Sequence, residues 1–140
     1  MPIDFQVTVD AADPHPLADW WAETLGWRVE PSDEQFIRRM VAEGHAPESA
    51  TRHYRGALVW AEGAAIVHPE TGRRMLFQQV AEPKAGKNRL HLDLRPGREH
   101  AAALVEALLA RGATFLHDGR QGPHTWVTLA DPEGNEFCVG

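Results

Sequence analysis

Leu90-His91-Leu92-Asp93-Leu94-Arg95-Pro96-Gly97, running into a helical stretch and then Gly112, is the passage that decides the fold. Strict alternation of leucine with polar residues from 90 to 95 predicts a strand with one buried face. Pro96-Gly97 breaks it. From Glu99 to Arg111, Leu104, Val105, Leu108 and Leu109 fall on one side of a helix, and Gly112 ends it. Ala113 to His117 resumes strand character. Working outward, the same order appears near the start. Phe5-Gln6-Val7-Thr8-Val9 alternates, and Asp13-Pro14 supplies an N-cap and a first helical residue. Leu17, Trp20, Trp21, Thr24 and Leu25 make an apolar stripe, Gly26 stops the helix, and Trp27 to Glu30 reads as a strand. Gln6 to Gly26 spans 20 positions and His91 to Gly112 spans 21, so the pattern reads as a duplicated unit.

Each half closes with more strands. In the first these are Ala57 to Trp60, Ala64 to Val67 and Met75 to Val80. In the second they are Trp126 to Leu129 and Glu136 to Val139, flanking the turn Asp131-Pro132-Glu133-Gly134-Asn135. The prediction is one α+β domain over 1–140, built of two βαβββ modules. Module one covers 1–81 and carries an insertion at 33–55, with a helix over roughly Asp33 to Glu43 followed by a polar segment. Module two covers 88–140.

Composition narrows the function. A net charge of -6, with 24% charged residues, lacks the basic stripe of a nucleic-acid binder and suits a cationic ligand. A single cysteine, Cys138, excludes an internal disulfide and a cysteine-based zinc cluster. No apolar run reaches membrane length, and no charged-then-apolar leader opens the sequence, so the chain reads as cytoplasmic.

Alternation also aims polar groups. If Phe5, Val7 and Val9 pack on their helix, Gln6 and Thr8 point the other way. By the same rule His91, Asp93 and Arg95 oppose the leucines, while Glu136 and Cys138 oppose Phe137 and Val139. A shared pocket is therefore expected from Gln6, Thr8, His91, Asp93, Glu136 and Cys138, with Trp60 and Trp126 as aromatic walls for a planar ligand. Each has a plainer role as well. Asp93 or Glu136 pairs with Arg95, Cys138 is a small half-buried residue, the tryptophans are core, and Asp131 to Gly134 is turn chemistry. The remaining histidines are scattered without a close ligand pair.

Four segments together resemble the vicinal oxygen chelate superfamily, which includes glyoxalase I, bleomycin-binding proteins, fosfomycin-modifying enzymes and extradiol dioxygenases. They are Phe5 to Asp10, Trp21-Ala22-Glu23-Thr24-Leu25-Gly26-Trp27, Asn88 to Leu94, and Asp131 to Val139. The likeness covers nearly the whole chain and is greatest to the bacterial glyoxalase-like branch. It implies a curved mixed sheet around a central cavity. In metal-dependent members each module's first strand gives one ligand, which maps to Gln6 and His91. A last-strand glutamate gives another. That position, four residues after the turn glycine, is Cys138 here, with Glu136 two residues earlier. The resemblance also implies Gln78, on the Met75 to Val80 strand, as the fourth pocket position. The implied metal set is Gln6, His91 and Glu136, around one divalent ion (zinc, nickel, manganese or magnesium), with Glu136 as the catalytic base. The cysteine weighs instead toward a small-molecule binder without a full metal site. Three readings stay open: that binder, a metal-dependent lyase or isomerase using Gln6, His91 and Glu136 or Cys138, and a ligand-free structural dimer. A homodimer is expected in any of them.

Overall fold

The computed structural model describes residues 1–140 and divides into two compact units, Met1–Glu82 and Pro83–Gly140. In the first, strand β1 (Val7–Ala11) leads into helix α1 (Pro14–Leu25) and strand β2 (Arg28–Val29). Helix α2 (Glu34–Ala42), a short 3-10 turn (Glu48–Ala50) and strands β3 (Thr51–Tyr54) and β4 (Ala57–Trp60) follow. Strands β5 (Gly63–Val67) and β6 (Arg74–Gln79) complete the unit.

Its sheet runs β1-β6-β5-β2, with β1 parallel to β6 and the other pairs antiparallel. Val7 lies beside Met75 and Val9 beside Phe77, so one face is apolar. Leu17, Ala18, Trp20 and Trp21 of α1 are buried with Ile66, Met75 and Phe77. The helix ends because Gly26 takes the left-handed conformation at φ 69, letting the Trp27 N–H reach the Ala22 carbonyl at 2.9 Å.

Three expectations change here. Phe5 precedes β1 and is 74% exposed, so the alternation begins at Val7. Asp13 does sit at the N-cap position, but its carboxylate caps no N–H and instead accepts from Arg52 at 2.9 Å. The third concerns Ala57–Trp60. It pairs with Thr51–Tyr54 as a separate two-stranded hairpin, so the insertion includes β4 and runs to residue 60. That insertion is stapled in place: Glu34 Oε1 accepts the Leu58 N–H and Ser32 Oγ donates to the Leu58 carbonyl, each at 2.5 Å.

The second unit repeats the plan without the insertion. Strand β7 (Asp93–Leu94), helix α3 (Arg98–Ala110) and strands β8 (Thr114–Gln121), β9 (His124–Ala130) and β10 (Glu136–Val139) form a sheet ordered β7-β10-β9-β8. Again the first strand is parallel to the last. Leu108, Leu129, Phe137 and Val139 are the buried side chains that hold it. Strand pairing begins only at Asp93, and Leu90 is 90% exposed, so the leucine alternation extends beyond the paired strand. Both sheets are open. No helix is long and apolar enough to cross a membrane.

Candidate functional site

Side chains opposite one another on paired strands share a face. Cys138 lies beside Asp93 on β7 and opposite Thr128 on β9, which in turn faces His117 on β8. One step along, Trp126 faces Gly119, and then His124 faces Gln121. Phe137, Val139 and Leu129 alternate with these positions and are buried on the other face. The polar face lines a hollow of 970 Å³, and His91 joins it from the residues before β7.

Within that hollow His91 Nδ1 and Asp93 Oδ1 are 3.0 Å apart. The carboxylate accepts, so Nδ1 carries the proton and Nε2 is left as the acceptor. The ligand atoms of His91, Asp93 and Cys138 all lie within 4.8 Å of one another. Cys138 Sγ and Thr128 Oγ1 are also in contact at 3.4 Å. Asp93 was expected to pair with Arg95, two residues after it; it bonds His91, two residues before it on the same side of the chain.

Glu136 lines the same hollow, but one of its oxygens is engaged. Oε2 accepts the Asn88 N–H at 3.0 Å and lies 3.4 Å from Lys84 Nζ. Burial pushes this carboxyl up, yet the Asn88 N–H, the residue's own N–H and the Lys84 ammonium outweigh it and hold it below the usual carboxylate range. Glu136 is therefore ionised at neutral pH and ties residues 84–88 to β10. Its partner is Lys84, where the sequence suggested Arg95.

Trp126 is half-buried against the backbone of Gly119 directly across the ladder. A methyl group on Gly119 would overlap the indole. Gly119→Ala is expected to displace the ring and cost about 1–3 kcal/mol through overpacking. Urea unfolding together with Trp126 emission checks this; unchanged stability and an unchanged spectrum would contradict the seat described.

The remaining expected pocket residues belong to the first unit. Gln6 is exposed ahead of β1, and its Oε1 accepts from Arg74 at 3.3 Å. Thr8 and Gln78 lie on the sheet face away from the core, where Gln78 Nε2 donates to Asp10 at 3.0 Å. Trp60 lines a different hollow, of 560 Å³, within the first unit. The sequence reading missed Thr128, His117 and His124 in the second unit's hollow. Continuing the β9 alternation from Trp126 finds His124 and Thr128. His117 follows no such rule, because a bulge between Phe115 and His117 shifts the register and turns it to the polar face.

A family model described as a glyoxalase-like domain matches residues 6–140. No curated protein matches in sequence. Among solved structures, a fosfomycin resistance protein, FosX, from Listeria monocytogenes superposes with a TM-score of 0.67 at 9% identity, covering 99% of this chain and 91% of that one. It was solved as a mutant with Mn(II) and 1S,2S-dihydroxypropylphosphonic acid. A glyoxalase/bleomycin resistance protein/dioxygenase family enzyme from Burkholderia phytofirmans gives 0.62 at 17% identity, covering 96% and 94%. A possible glyoxalase from Bacillus cereus gives 0.61 at 12%, also covering 96% and 94%. At these identities the likeness shows the fold.

Proposed function

Because this chain belongs to the glyoxalase-like domain family, we propose that it binds a small planar, polar metabolite in the hollow on the second unit's sheet. The observation that carries this reading is the convergence of His91, Asp93 and Cys138 beside Trp126 on one polar sheet face. The hollow's 970 Å³ is at the upper end of the range for small-molecule sites, about 300–1,000 Å³. Trp126 supplies a flat apolar wall. His91 Nε2, the Asp93 carboxylate and the Cys138 thiol fix the orientation of a ligand's polar edge. A panel of small planar metabolites, followed by the emission of Trp126 against a Trp126→Phe control, tests the reading. The expected result is a saturable change for at least one compound that disappears in His91→Ala. A panel that leaves Trp126 unmoved, or a response that survives the loss of His91, would count against it.

One observation favours a second reading, in which the same trio holds a divalent ion. Imidazole, carboxylate and thiol form a donor set of the zinc class. Their ligand atoms lie within 4.8 Å of one another, close to the span that bonds of about 2.0–2.3 Å to one zinc ion allow. Such an ion, when bound, would polarise a carbonyl of the ligand. In this arrangement Asp93 takes the carboxylate role first assigned to Glu136, whose Oε2 already serves Asn88 and Lys84. Thr128, beside the trio, would hold the thiol.

A further inference from the structure

We propose that the first unit carries a ligand site of its own, built by the 33–60 insertion, which takes a flat aromatic ring bearing an N–H or O–H donor. The second unit has no counterpart to this insertion. Where the insertion meets α1 and the β5 edge it encloses the 560 Å³ hollow, whose walls include Phe36 and Trp60. That volume also lies within the small-molecule range, about 300–1,000 Å³. The staples from Glu34 and Ser32 to Leu58 keep the walls in place before any ligand arrives.

The cations at this hollow are paired, Arg55 with Asp19 and Arg74 with Glu30, and its buried histidine offers an acceptor. His15 is 7% exposed and lines the hollow. Its Nε2 lies 2.8 Å from the Trp60 carbonyl, which can only accept, so Nε2 carries the proton and Nδ1 is the ring's acceptor. Nδ1 has no protein partner, and no buried side-chain polar atom in the molecule is left unpaired, so Nδ1 opens to the hollow. Beside it, with ring centroids 5.2 Å apart, Tyr54 commits its only hydroxyl proton to Asp19 Oδ2 at 2.6 Å. Burial, and then the Asp19 hydrogen bond, raises that phenol and keeps it neutral, while its oxygen is already reached by a hydrogen bond from Arg55, which lowers it. Asp19 is paired in turn with Arg55 at 3.4 Å. The Ser32 hydroxyl is already spent on Leu58. A ring slotting between Phe36 and Trp60 thus meets an open acceptor at His15 Nδ1, and a donor on the ring satisfies it.

Indole and 1-methylindole test this on the whole protein, since they share a ring and differ in the donor. Calorimetry is expected to show indole binding about tenfold or more tightly than 1-methylindole, the worth of one hydrogen bond at a sheltered site. Backbone amide shifts on adding indole should centre on His15, Phe36, Tyr54 and Trp60. His15→Phe should erase the preference between the two probes. If that variant does not fold, the comparison on the native chain decides alone. Equal affinity for the two rings, no binding, or shifts centred on His91 and Trp126 would overturn the proposal. Because the readouts lie on different residues, failure here is separate from failure of the site in the second unit.

Discussion

Asp131→Ala is expected to lower the unfolding free energy by about 3–4 kcal/mol. Asp131 is 3% exposed, and its Oδ1 accepts the N–H groups of Glu133 at 2.8 Å and Asn135 at 3.0 Å. The Asn135 amide adds a bond to Oδ2 at 3.0 Å. Hydrogen bonds to a charged acceptor contribute about 1.5–3 kcal/mol each, and removing the acceptor leaves partly buried donors without a partner. Alanine also loosens the turn that aims β10, and with it Cys138, at the hollow. Asp131→Asn keeps one acceptor oxygen and should fall between the two. Denaturant unfolding with an unchanged slope is the measurement. A loss under about 1 kcal/mol for the alanine variant would mean that the turn holds itself together without the carboxylate.

The second large effect concerns the trio. On the cation reading, His91→Ala and Cys138→Ser each remove a direct zinc ligand and should weaken zinc binding by more than about 100-fold, beyond what outer partners are worth. Asp93→Asn discriminates between two roles. If Asp93 mainly orients the imidazole through Nδ1, the loss should be about 10–100-fold, as for carboxylates that back a metal-bound histidine. If it is itself a ligand, the loss should match that of His91→Ala. Equilibrium dialysis against zinc reads all three. Native-like affinity in Cys138→Ser would remove the thiol from the site and leave the metabolite reading alone.

Much of this architecture could be read in the residues, and the exceptions have identifiable causes. Strand β10 runs from Glu136 to Val139 as its alternation says, and α3 departs by one residue at each end from the stretch between Glu99 and Arg111. Strand β3 escaped notice because Thr51-Arg52-His53-Tyr54 has no apolar alternation; its hairpin with β4 creates it. The turn is Arg55-Gly56 with φ of 50 and 81, a left-handed pair usually advertised by Asn-Gly or Asp-Gly. Alternation correctly put Asp93, Glu136 and Cys138 on one face. It could not say that Glu136 would be taken by Asn88 and Lys84, since those contacts depend on how the segment before β7 folds back. Nor could it locate His15, a buried histidine of α1 whose neighbours Tyr54 and Trp60 lie 39 and 45 positions away.

The metabolite reading of the second unit depends on one arrangement: the imidazole of His91 held by Asp93 through Nδ1, so that Nε2 is the ring's acceptor. Nitrogen-15 NMR of the His91 ring, recorded well above the ordinary imidazole range of about 6.5, tests it directly. The structure predicts a proton on Nδ1 and a bare Nε2, with the pattern changed in Asp93→Asn. A proton on Nε2 with Nδ1 bare, unaffected by that substitution, would contradict the site.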